Sequence, residues 1–188
     1  DGAVDYGSEA RDVMGAMLAP RPGGEFISDP ALVTFGPYQE FSDPSYVLPI
    51  FYSEWACFDT DNSDFWTQAT ADGRDHFQAC AHPSTGPMPG QSNFDGTPYT
   101  GSGHGHFNYD AQRTPMNVMM DFNLNNADNS WQTTWASTLA AFWMSEGLDR
   151  YGSTYQLDGS GKSGMHGSGM TGVNAMLAFA LPESDGRA

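Results

Sequence analysis

Apolar side chains recur at the helical period in six stretches of this chain, and polar or glycine- and proline-rich runs separate each stretch from the next. Six amphipathic faces must be buried, and packing helix on helix does it. In residues 6–18 the face is Val13, Met14, Met17 and Leu18, and Pro20-Arg21-Pro22-Gly23-Gly24 stops the helix. Residues 25–42 read as extended, with a short strand expected around Leu32, Val33 and Phe35. The second helix is expected to start at Ser42 or Asp43, with Pro44 in its first position and Tyr46, Ile50, Phe51, Glu54, Trp55 and Phe58 at helical spacing. A third restarts at Asp61-Asn62-Ser63-Asp64, carries Phe65, Trp66, Ala69, Gly73, His76, Phe77 and Cys80 on one face, and closes at Pro83. Three more follow at about 114–123, from Ser130 to Gly147, and at 170–181. The expected fold class is therefore all-α, with about six helices paired as antiparallel hairpins.

Composition narrows what such a chain can meet. A net charge of −16, from 23 acids against 7 bases, repels nucleic-acid phosphates and anionic membranes but not a neutral polymer. No apolar run approaches the roughly 18 residues needed to span a bilayer. Strong acidity without long acidic runs suits a secreted protein, which is the expected location. Cys57 and Cys80 are compatible with one disulfide or with two buried thiols. Hydrophobic residues make up 39% of the 188, enough to bury a real core.

The long loop 84–106, rich in Gly, Pro, Ser and Asn, has the length of a functional segment. It runs into His104-Gly105-His106-Phe107-Asn108-Tyr109-Asp110-Ala111-Gln112-Arg113-Thr114-Pro115, where Pro115 opens a helix near its first turn. Asp110 then sits at a helix mouth with Arg113 one turn along on the same face, so by spacing alone it is an N-cap with an ion pair. His104, His106, Asp95 and Asp110 raise the question of a metal site. No Cys or Glu completes a tetrahedral set and the loop carries three glycines between Gly101 and Gly105, so no metal and no cofactor are expected. The five tryptophans fall on apolar helix faces and read as core, whereas Tyr99, Phe107 and Tyr109, in loops or at helix mouths, read as platforms for sugar rings.

The string Phe107-Asn108-Tyr109-Asp110-Ala111-Gln112-Arg113-Thr114-Pro115-Met116-Asn117-Val118 resembles the Tyr-Asp-Ala-x-Arg-Thr-x-x-Asn segment of glycoside hydrolase family 8. The likeness extends, in family order, to Asp43-Pro44-Ser45-Tyr46, to His82-Pro83-Ser84-Thr85-Gly86, and to Tyr151-Gly152 through Tyr155-Gln156-Leu157-Asp158-Gly159. Within the family it is most similar to the xylan-directed members, particularly the reducing-end xylose-releasing exo-oligoxylanases. The resemblance implies an (α/α)6 toroid, of which residues 1–188 are the second half. The glutamate general acid is expected in the first half, in cis or as another chain.

That resemblance also implies roles. Inverting hydrolysis of a β-1,4-glycosidic bond needs an acid and a base about 6.5 to 9.5 Å apart, with water between base and sugar. Asp110 matches the base, Arg113 the cation that keeps it ionised, and Tyr46 the tyrosine that hydrogen-bonds the water and the distorted sugar. Asp43, Phe107 and Tyr109 are expected to contact substrate, an oligosaccharide or polysaccharide. His166 falls where exo-acting members carry a histidine that reads the reducing-end sugar. The alternative to an enzyme is a non-catalytic carbohydrate-binding or structural remnant of the same fold.

Overall fold

The computed structural model describes residues 4–125 and 129–181. Six α-helices span them: α1 Tyr6–Met17, α2 Pro49–Phe58, α3 Ser63–Cys80, α4 Arg113–Asn125, α5 Asn129–Glu146 and α6 Ser168–Ala175. Among the described residues the only β pairing is isolated bridges, so the expected strand near Leu32 reduces to a single antiparallel contact between Phe26 and Val33. The Ile27 N–H bonds the Leu32 carbonyl there at 3.0 Å, and the Thr34 N–H the Glu25 carbonyl at 2.7 Å. No helix among the described residues is long and apolar enough to cross a membrane.

α2 and α3 form a hairpin around Trp66, which is fully buried with its indole N–H on Asp59 Oδ2 at 2.9 Å. Gly73 lets α3 run close to the segment entering α2: a Cβ there would lie 2.9 Å from Val47 Cγ1 and 3.2 Å from Pro49 Cγ. α4 is central, packing on α2, α5 and α6 and burying Val118 and Met119. α5 contributes Trp135, Leu139 and Trp143 to the same core, with Trp55 and Trp131 half-buried at its edge. The hairpin geometry puts Cys57 near one end of α2 and Cys80 at the far end of α3, so both are free thiols, Cys57 exposed and Cys80 buried.

One helix start and one helix end differ from expectation. Pro44–Tyr46 is a separate turn of 3₁₀ helix, and α2 begins only at Pro49. The chain holds two prolines that suit a first helical position, and the extended backbone at Val47 breaks the path between them. Tyr46 therefore leaves the helix face on which periodicity placed it. The last helix also stops early, at Ala175, and continues as a 3₁₀ turn over Met176–Phe179.

The loop between α3 and α4 is packed rather than free. Residues 86–92 are all buried, and Ser92 bonds His76 of α3 at 3.0 Å while the Trp135 indole of α5 donates to the Gly86 carbonyl at 2.8 Å. Gly86 itself has φ +89° and lies against Leu139, where a Cβ would approach backbone atoms to about 2.9 Å. Anchored on two helices, this loop forms one wall of a cleft at the mouths of α2 and α4.

Candidate active site

The cleft encloses about 160 Å³ between the turn at Pro44–Tyr46, the loop residues Gly90, Gln91 and His104, and the 3₁₀ turn Asp110–Gln112 that leads into α4. Phe35, Asp43, Tyr46, Asn108, Asp110 and Arg113 complete its lining. Tyr46 and Asp110, distant in the chain, thus face one space.

Asp110 is not the cap that its position suggested. Asn108 takes that role, its side-chain oxygen accepting the N–H groups of Asp110 at 3.0 Å and Ala111 at 3.3 Å while its amide meets His104 Nδ1 at 3.2 Å. Asn108 fits because Gly90 has no side chain: a Cβ there would overlap the Asn108 amide. With the first-turn donors satisfied by Asn108, the Asp110 carboxylate projects into the cleft, 62% exposed.

Arg113 is fixed on three sides. Its Nε and Nη2 donate to Ser45 Oγ at 3.1 and 2.9 Å, Nη2 also lies 3.7 Å from Asp43 Oδ2, and Nη1 lies 3.7 Å from Asp110 Oδ1. Its guanidinium carbon stands 5.5 Å from the centroid of the Tyr46 ring, in cation–π range. The turn that carries Ser45 is tied to α4 by Asn117, whose amide donates to the carbonyls of Ser45 at 2.8 Å and Val47 at 3.2 Å.

Tyr46 is 39% exposed and ends a column of near-parallel rings. It stacks on Phe35 at 5.8 Å, Phe35 on Phe41 at 5.3 Å, and Phe41 on Tyr99 at 4.1 Å. Asp43, 3% exposed, accepts the Ser45 N–H at 2.7 Å and so caps its own turn. Burial pushes its carboxyl above the ordinary range, against the Ser45 hydrogen bonds and the Arg113 charge, which lower it; the Asp110 charge adds to the rise.

The other expected contacts divide. Tyr109 is exposed beside Asp110, free to meet a ligand. Phe107 is not: it is 2% exposed and packs on Trp143 at 5.5 Å, because its backbone pairs with Tyr155 and turns the ring into the core. Asp43 lines the cleft but is 3% exposed, behind the Arg113 guanidinium. His166 lies outside the cleft lining, its Nδ1 3.0 Å from the Tyr151 carbonyl and its Nε2 3.2 Å from Thr171 Oγ1. The His104 and His106 rings lie nearly parallel 6.5 Å apart, on one side of the chain as residues two apart in an extended stretch are. Sequence reasoning gave no site role to Ser45, Phe35 and Asn108, and weighed His104 only as a metal ligand. Only Asn108 left a signal, as a second cap-type residue two positions ahead of Asp110.

No protein-family model matches the chain. Curated and solved proteins do. A reducing-end xylose-releasing exo-oligoxylanase, Rex8A of Paenibacillus barcinonensis, is 33% identical over 195 aligned positions, covering 96% of this chain and 50% of that protein. A crystal structure of a reducing-end xylose-releasing exo-oligoxylanase superposes with a TM-score of 0.88 at 31% identity, over 97% of this chain and 49% of that one. The xylobiose complex of a GH8 protein from Teredinibacter turnerae gives 0.90 at 30% identity, over 98% and 51%. The chain spans about half the length of the relatives it matches. With six helices that superpose on one half of their (α/α)6 barrel, the chain is a homologue of the family 8 glycoside hydrolases, reducing-end xylose-releasing exo-oligoxylanases among them.

Proposed function

We propose that this chain supplies the general base of an inverting glycoside hydrolase that cuts β-1,4 bonds in xylan or xylo-oligosaccharides. The observation that carries the reading is the Asp110 carboxylate: relieved of capping by Asn108, it stands exposed in a cleft with Arg113 at 3.7 Å and Tyr46 lining the same space. A carboxylate so placed takes a proton from water as the oxygen attacks the anomeric carbon. Arg113 favours the ionised, proton-accepting form, and Tyr46 orients water and sugar. His166 reads the reducing-end sugar, reaching it only once substrate and the rest of the toroid complete the groove.

The acid comes from elsewhere. Asp43 is the other carboxylate in the cleft lining, but it is buried and bound to the same Arg113 as Asp110, and inversion needs acid and base on opposite faces of the sugar. The first half of the toroid provides that acid, in cis or as a second chain, and the assembled protein acts outside the cell.

The test is reducing-sugar release from xylo-oligosaccharides by the complete two-half domain, with product anomers followed by NMR. Asp110→Ala abolishes turnover and spares binding, because the base acts in the transition state more than in the ground state. Products of retained configuration, or an Asp110→Ala variant as fast as wild type, overturn the reading. Faster cleavage of cellulose or chitosan oligomers than of xylan overturns only the substrate.

A further inference from the structure

We propose that Asp43 and Ser45 are positioning residues for the base: they engage Nε and Nη2 of Arg113 from behind and leave only Nη1 to face Asp110, so that the two carboxylates divide one cationic charge. The inference rests on the proposed role of Asp110 and extends it to residues that do not touch substrate.

The allocation of the guanidinium nitrogens is the evidence. Nε and Nη2 both end on Ser45 Oγ, at 3.1 and 2.9 Å, and Nη2 is shared with Asp43 Oδ2 at 3.7 Å. Nη1 is 3.7 Å from Asp110. Ser45 Oγ is thus the pivot, and Asp43 and Asp110 stand on either side of the cation. Neither acid outbids the other by distance.

The charge on Asp43 calls for a cause. Its Oδ1 caps the turn through the Ser45 N–H, and an asparagine would cap as well without the cost of a buried carboxylate. What asparagine lacks is the negative charge, and the nearest cation is Arg113. A lone arginine beside a base stabilises its ionised form, and a base so stabilised takes a proton from water less readily. A second carboxylate on the same cation, buried and little screened by salt, restores part of that basicity. The remaining groups that face this pair are few. His104 and Tyr46 share the cleft with Asp110, and Cys80 of α3 faces Asp43 with its thiol pushed up to about 12 by burial, so it stays neutral.

The experiment reads the Asp110 side-chain carboxyl directly, by ¹³C NMR titration of this chain, and needs no turnover. Asp43→Asn keeps the cap and removes the charge, and the Asp110 midpoint then falls. Ser45→Ala keeps the charge but frees the guanidinium to approach Asp110, and the midpoint moves the same way. In the complete domain the acid limb of the kcat/KM profile of Asp43→Asn shifts down with the midpoint, whereas a merely structural role lowers activity without moving the limb. An Asp110 midpoint unmoved by both substitutions overturns the proposal. If instead the midpoint moves but Asp110→Ala remains fully active, charge sharing stands and the base role of Asp110 falls.

Discussion

Tyr46 is held in the cleft without the use of its hydroxyl. Its ring stacks on Phe35 and lies under Arg113, and its carbonyl accepts the Tyr52 hydroxyl at 3.2 Å. Tyr46→Phe preserves all three contacts, so stability should change by no more than about 0.5 kcal/mol, the range of surface substitutions. On the proposed mechanism kcat falls, because water and sugar lose a hydrogen-bond partner; urea unfolding and steady-state kinetics on the complete domain measure the two sides. A loss of stability with kcat unchanged would make Tyr46 a packing residue. His76 offers a residue-scale test of folding. Burial, the main cause, lowers its pKa to about 4, opposed by the nearby Phe94 backbone and by Asp95. Between that value and an unfolded value near 6.5 the unfolded chain binds more protons, so stability rises with pH across the window. The contribution is fully present above about 6.5 and lost as pH falls toward 4, on the order of 3 kcal/mol in all. Unfolding midpoints followed from pH 7 to 4 should decline in wild type and decline less in His76→Gln, which keeps a partner for Ser92.

At the scale of elements, periodicity located the six helices but not the 3₁₀ turns. Helix faces were legible because burial repeats along them: Trp66, Ala69, Gly73, His76, Phe77 and Cys80 of α3 are all buried as their spacing requires. The turns at Pro44–Tyr46 and Asp110–Gln112 were not, because a three-residue element has no period, and competing signals sit side by side there, Pro44 with Pro49 and Asn108 with Asp110. The site lies on those two turns. Its residue types were therefore legible from the motif, while the choice of cap, the Ser45 pivot and the burial of Phe107 depend on packing between segments far apart in sequence. Two substitutions test the element contacts. Gly73→Ala gains about 1 kcal/mol of helix propensity but forces a methyl against Val47 and Pro49, which costs about 1–3 kcal/mol, so net destabilisation is expected by urea unfolding. Asp121 of α4 is fully buried and takes Arg74 of α3 through two bonds of 2.8 Å, with Asn125 at 2.7 Å and Gln132 at 3.1 Å on the same carboxylate. Asp121→Ala removes the buried carboxylate that takes two Arg74 bonds, while Asn125 keeps Ser53 and Gln132 the Val118 carbonyl, and about 3–5 kcal/mol should be lost.

The whole molecule carries apolar side chains on a face that its own helices leave open. Met144 and Leu148, at the end of α5, and Phe179, after α6, are each about half exposed or more. Between them runs a groove of about 380 Å³ lined by Trp143, Tyr151 and Leu177. Trp143 is otherwise buried, yet its indole nitrogen finds no hydrogen-bond partner within the described residues, nor does the side-chain oxygen of Asn174 beside it. Exposed apolar side chains around an apolar groove are what a neighbour covering this face would bury. On the proposed reading that neighbour is the first half of the toroid. The chain alone should then bind an apolar fluorescent dye such as ANS while its far-ultraviolet dichroism remains helical and its unfolding cooperative, which separates an open native face from a molten state. Joining the first half, covalently or as a separate chain, should quench the dye signal and raise the unfolding midpoint by the linkage of binding to folding. Met144→Gln with Leu148→Gln should weaken both effects without changing the Asp110 cleft. A complete domain that still binds dye as strongly as the isolated chain would place the first half elsewhere on the molecule.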